Sequence, residues 1–170
     1  MNVLIELKNM DYSFLYFLPH KANKMYIDGT YTKILYTHTH FTTNGIWIHI
    51  PFVNNIIIEK QNLHYYQIKM DLKDNYTLIE QLSILEKNIL STYQKTILPP
   101  DIMEKKQFVY TLTNQLIHGN IKVYNPLPNP PPTTTTTTPS HIYYYIKISG
   151  IWETPAEIGM TYKIKSGIKI

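Results

Sequence analysis

Ile142-Tyr143-Tyr144-Tyr145-Ile146-Lys147-Ile148-Ser149, followed by Ile158-Gly159-Met160-Thr161-Tyr162-Lys163-Ile164-Lys165, decides the fold class of this chain. In an extended chain successive side chains point to opposite faces. Ile142, Tyr144, Ile146 and Ile148 therefore share one face, and Tyr143, Tyr145, Lys147 and Ser149 share the other. The second segment sets Ile158, Met160, Tyr162 and Ile164 against Gly159, Thr161, Lys163 and Lys165. Sustained alternation of this kind marks half-buried strands. The turn-like residues 150–157 join the two as an antiparallel hairpin.

Upstream, the same alternation recurs. Asn44-Gly45 opens Ile46-Trp47-Ile48-His49-Ile50, with the isoleucines inward and Trp47 and His49 outward; Pro51 ends that strand or marks an edge. Residues 63–72 alternate Tyr66, Ile68, Met70 and Leu72 with Tyr65, Gln67, Lys69 and Asp71. Residues 25–37 are rich in Tyr, Thr and Ile, with a turn or bulge at Asp28-Gly29. A first strand is expected within residues 2–16, and residues 121–124 read as a short one.

Between these strands the period changes. Leu78, Leu82, Leu85, Ile89 and Tyr93 lie on one helical stripe. Thr77 and Glu80 have capping-box spacing. A second helix is expected over 103–118, broken from the first by Pro99-Pro100 and closed by Gly119. Residues 126–140, Pro-rich with six consecutive Thr, have no means of packing a core and read as a flexible loop inside a single domain, 1–170. Strands, a helical insertion, then strands is the order of a mainly β, five-stranded antiparallel barrel of the oligonucleotide-binding type. An open sheet packed on two helices is the alternative.

The 170 residues include 15 Tyr, which favours pleated surfaces. The absence of Cys excludes disulfides and thiolate chemistry and favours a reducing intracellular compartment. The apolar run at 12–18 is too short to span a membrane and has no cleavage pattern. The net charge of +4 comes with 16 Lys and no Arg, so phosphate contacts would be point charges rather than bidentate forks. No phosphate loop, dinucleotide fingerprint or nucleophile elbow is present, and the acidic residues are scattered, Glu80 and Glu86 reading as a cap and a solvated residue. The expectation is a protein that is not an enzyme and needs no cofactor. His38 and His40, with His49 and His64, are the only cluster resembling a metal site, and the Thr-rich loop around the first pair argues against one.

With the isoleucines inward, the outward face carries Tyr31, Lys33, Trp47, His49, Tyr65, Lys69, Tyr143, Tyr145, Lys147, Lys163 and Lys165. Rings interleaved with ammonium groups suit a single-stranded nucleic acid, whose unpaired bases stack on rings while Lys neutralises phosphates. Such rings are equally able to pack beneath helices, or to form a protein interface.

The closing segments, Ile148-Ser149-Gly150-Ile151-Trp152 and Gly159-Met160-Thr161-Tyr162-Lys163, resemble the last hairpin of the single-stranded-DNA-binding proteins of podovirus-type phages and nucleocytoplasmic large DNA viruses. The likeness extends in order of elements over residues 25–164, and is specific only in the last twenty or so. It implies an oligonucleotide-binding barrel, no catalysis, and a role in viral DNA replication, recombination or repair in the host cytoplasm or nucleus. It adds Trp152 to the candidate binding residues. The partners on this reading are single-stranded DNA, RNA being compatible with the same chemistry, a second copy of the chain as a homodimer, and viral replication proteins; no membrane is involved. The phage proteins end in an acidic tail, whereas this chain ends Lys163-Ile164-Lys165-Ser166-Gly167-Ile168-Lys169-Ile170. The competing reading is a virion or capsid-associated interaction protein that uses the same aromatic face.

Overall fold

The computed structural model describes residues 3–23, 25–53, 57–60, 65–103, 105–124 and 142–168. The Pro- and Thr-rich segment and His64 lie outside them. Strands β1 (Leu15–Phe17), β2 (Lys21–Ala22), β3 (Thr30–His38), β4 (Phe41–Asn44), β5 (Ile46–Ile50), β6 (Ile57–Lys60) and β7 (Tyr65–Lys69) come first. Helix α1 (Tyr76–Ile97), the short α2 (Pro100–Met103), β8 (Gln107–Val109), α3 (Thr111–Ile117) and β9 (Asn120–Tyr124) follow, and β10 (Ile142–Glu153) and β11 (Glu157–Ile168) close the fold.

The β10–β11 hairpin is the spine, paired from Ile142↔Ile168 to Glu153↔Ile158. One edge of β10 carries two strands in tandem, β5 opposite 144–148 and β3 opposite 150–153. The far half of β3 turns away to pair with β1 and β4. The free edge of β11 carries β8 at 157–159 and β9 at 164–165, both parallel. Beyond β9 come β7 and then β6, antiparallel. The expected five-stranded antiparallel barrel is thus corrected: eleven strands form one mixed sheet, whose path from β1 to β6 does not close. The two parallel joins explain the difference. Strands β8 and β9 lie end to end along one edge of β11, and the chain reaches β11 from them only by way of β10, where a closed antiparallel meander would need only turns.

One register shift matters most. Ser149 is an extra residue between Ile148 and Gly150. A bulge bends its strand and reverses the alternation beyond it. Ile146, Ile148, Ile151 and Glu153 all point inward, so Gly150 and Trp152 fall on the same side as Tyr143, Tyr145 and Lys147.

The inward face is isoleucine-rich, as expected. Ile34, Ile46, Ile48, Ile68, Ile121, Ile146, Ile148 and Ile158 are fully buried, together with the α1 stripe Leu82, Leu85, Ile89 and Tyr93. Each large aliphatic side chain so buried contributes roughly 1.5–3 kcal/mol. Polar groups tie the layers together. Tyr93 donates to the Glu153 carboxylate and lies 3.1 Å from the Thr32 hydroxyl, and Lys106 pairs with Glu153 at 2.7 Å.

Several local expectations are corrected. The region of the supposed first strand holds two 3-10 turns, Leu7–Asn9 and Tyr12–Phe14, before β1. The long helix starts at Tyr76, and Asn75 rather than Thr77 holds the N-cap; its side chain accepts from Val53 N and donates to Asp71 O. The second helix is shorter, because β8 takes up 107–109. Both strands of the last hairpin run longer than their alternation, leaving a turn only at 154–156. Glu86, expected in solvent, is fully buried. Its carboxylate accepts from Leu112 N (3.0 Å), Thr113 N (2.8 Å) and Thr113 Oγ1 (2.8 Å), closing the start of α3. Gly119 does close α3, with φ at 68° and its N–H donating to Leu116 O.

Candidate functional site

The face opposite the isoleucines is continuous across β5, β10, β11, β9 and β7. Registers place its residues in rows. His49, Tyr145, Lys165, Tyr124 and Tyr65 lie along one row. Trp47, Lys147 and Lys163 lie along the next. Tyr143 stands opposite Gly167, and Trp152 lies between Tyr31 and Gly159. Lys33 is paired with Gly150, and Lys69 with Asn120 at the far end of β7. The eleven residues expected on this face are therefore brought to it, and the bulge at Ser149 brings the further candidate Trp152 there as well. The helices cover the other face.

The rings lie along the sheet. A Cβ on Gly167 would collide with the ring of Tyr143, one on Gly159 with the indole of Trp152, and one on Gly150 with the phenol of Tyr31. Glycine at these places lets each ring lie flat on the strand beside it. Tyr145 stacks on Trp47 at 5.5 Å and 30°, and Tyr143 continues the row at 5.9 Å from Tyr145. Trp47 is nearly buried by these neighbours, and its indole N–H donates to Asn44 O at 3.3 Å. On the other wing Tyr65 and Tyr124 are 6.2 Å apart. Tyr26, from the loop before β3, stacks on Trp152 at 5.4 Å and 26°.

Ammonium groups lie among the rings. Lys147 sits 4.7 Å from the Trp47 ring, Lys163 5.3 Å from Tyr124, and Lys122 3.8 Å from Tyr65 and 5.5 Å from Tyr124. Each such contact holds a cation against the negative face of a ring. Lys165 stands beside Lys147 and Lys163. Partial burial, then the two like charges, push its amine below the ordinary lysine value. Among the described residues no carboxylate forms an ion pair with Lys122, Lys147, Lys163 or Lys165. These four ammonium groups and the rings beneath them form a positively charged, aromatic patch.

Lys122, Tyr124 and Tyr26 were not singled out from the sequence. For Lys122 and Tyr124 the signal was there, since Ile121 and Val123 alternate with them. Tyr26 had none, because its place depends on the turn at Asp28, whose φ is 56°.

Cavities that share Gln115 and Lys122 open beside the patch. The larger, about 470 Å³, opens in the notch between β8 and β9, where β11 residues 160–163 pair with no strand on that side among the described residues. Trp152, Tyr26 and Tyr31 line one wall, Lys122 and Tyr124 another, and Gln115 and Tyr162 also face it. The smaller, about 300 Å³, is lined by Tyr65, Gln67, Gln115, Asn120 and Lys122.

His38 and His40 stand 5.6 Å apart at the end of β3 and its turn, while His49 lies on β5. Among the described residues no three His, Asp or Glu gather as metal ligands. No helix among them is long and apolar enough to cross a membrane. No family model matches this chain, and neither a curated protein nor a solved structure matches it significantly.

Proposed function

We propose that this protein binds single-stranded DNA along the outer face of its sheet, chiefly without regard to sequence. One observation carries the reading: across five adjoining strands, on the face that the helices leave open, stacked rings alternate with Lys122, Lys147, Lys163 and Lys165, which form no ion pair among the described residues. Bases stacked on Tyr145, Tyr143, Tyr124 and Tyr65 would contribute about 1–3 kcal/mol each. Lys122, Lys147, Lys163 and Lys165 would take phosphates as point charges, releasing counterions. Duplex DNA keeps its base faces stacked on one another, so the rings would find no partner there.

The likeness of the last hairpin to viral single-stranded-DNA-binding proteins supports the same reading, and with it a role in replication, recombination or repair. Because the sheet is open and mixed, the proposal rests on the composition of the face rather than on an oligonucleotide-binding barrel. No step of it calls for a cofactor or a catalytic group.

The test is an anisotropy titration with labelled single-stranded and duplex oligonucleotides of equal length at two salt concentrations. Single strands should bind more tightly, with steep salt dependence and quenching of Trp fluorescence. Equal binding of both forms, or none at low salt, refutes the proposal. A stable oligomer that hides the face and ignores added oligonucleotide would favour the protein-interface reading instead.

A further inference from the structure

The larger cavity differs from the rest of the face in being concave and partly polar. Its volume of about 470 Å³ falls within the roughly 300–1,000 Å³ of small-molecule sites. Tyr26 and Trp152 form a ready-made stacking wall, since their rings are already nearly parallel. Met25 and Ile27, 85% and 93% exposed, flank Tyr26 as an apolar lip. The polar wall is set by one hydrogen bond: the Tyr162 hydroxyl donates to Gln115 Oε1 at 2.7 Å. Burial, with the Glu86 carboxylate nearby, holds the Tyr162 phenol's pKa well above the ordinary tyrosine value, so it stays protonated and remains a donor. With Oε1 occupied, Gln115 is oriented to offer its amide N–H groups. Gln115 and Lys122 line both cavities. Lys122 thus stands where the phosphate joining two nucleotides would pass.

We propose that this cavity is a pocket for a single unstacked base bearing carbonyl oxygens, thymine or uracil, held between the aromatic wall and the Gln115 amide. The donors offered there, an amide NH₂ and an ammonium, match the carbonyls of a keto pyrimidine. Adenine and cytosine would turn an exocyclic amine, itself a donor, towards them. The pocket would add one position of base preference to an otherwise indifferent track, and it rests on the reading of the outer face as that track.

The experiment measures the affinity of the full chain for oligo-dT, oligo-dC and oligo-dA of equal length by competition anisotropy. The intact protein should favour dT over dA by about tenfold, the worth of one or two neutral hydrogen bonds. Gln115→Leu removes the donors and should bring dT down to the level of dA while leaving dA unchanged. Gln115→Glu puts an acceptor where the donor stood and should move the preference from dT towards dC. Melting curves of both variants check the fold. Tyr26→Ala, at an exposed loop position, provides a second probe: it should weaken dT more than dA without lowering the melting temperature. Equal affinity for all three strands, or an unchanged dT preference in both Gln115 variants, overturns the pocket and leaves the track standing. Failure of every strand to bind overturns the track and the pocket with it.

Discussion

Replacing Lys122, Lys147, Lys163 and Lys165 together by Gln should leave a folded protein that binds single strands with almost no salt dependence. For single-stranded nucleic acid, each phosphate neutralised contributes about 0.7 to the slope of log affinity against log salt. Four contacts give a slope of about 2.8, so raising salt from about 50 to about 200 mM should weaken the intact protein about fiftyfold. The substituted protein should lose less than about threefold over the same range, its remaining affinity coming from stacking. The fold should survive, because the face carries three of these lysines close together without carboxylate partners among the described residues. Removing them relieves repulsion, and the melting temperature should be equal or higher. The assay is anisotropy of a labelled oligo-dT across a salt series, with thermal denaturation alongside. An unchanged slope in the quadruple variant would show that the charge used for binding lies elsewhere, and the assignment of this face would fall.

Lys165 should make binding pH-dependent in the alkaline range. Its amine sits below the usual lysine value in the free protein, and a bound phosphate would raise it again, so binding takes up a proton. Affinity should therefore fall as pH rises through the window between the two values, and Lys165→Gln should flatten that fall. Folding shows the opposite trend: the unfolded amine holds its proton more tightly, so this residue makes stability rise with pH across the same window. Tyr145→Leu, which removes the ring stacked on Trp47, should cost binding about 1–3 kcal/mol per lost base contact at unchanged circular dichroism, read by titration. Glu86→Ala should lower stability by about 3–5 kcal/mol, since two backbone N–H groups and a hydroxyl lose a charged acceptor, one of them in the core; urea unfolding checks it, and a loss below about 1 kcal/mol would refute the capping role.

Much was legible without coordinates because alternation is a local property. Ile46-Trp47-Ile48-His49-Ile50 and Tyr143-Tyr144-Tyr145-Ile146-Lys147 sort their side chains into two faces wherever the strands pair. The stripe Leu78, Leu82, Leu85, Ile89 and Tyr93 likewise needs no partner to be read as one side of a helix, and all five are buried. The inward isoleucines and the Tyr- and Lys-bearing outer face follow from period alone.

What tertiary structure decided concerns partners distant in the chain. The bulge at Ser149, between the pairs Ile148↔Tyr162 and Gly150↔Thr161, turned Trp152 towards the tyrosines, and no propensity at Ser149 announces it. Strand β8 is only three residues, held by parallel pairing to β11 fifty residues on, so it had no period to detect. Glu86 is buried because Leu112 and Thr113 supply donors that no helical spacing contains. The cavity at Trp152 exists only because β8 and β9 leave a notch along β11 that Gln115 reaches from α3. Face is set by neighbours along the chain, while order, notch and pocket are set by which strand lies beside which. That choice is made by closure of the whole core.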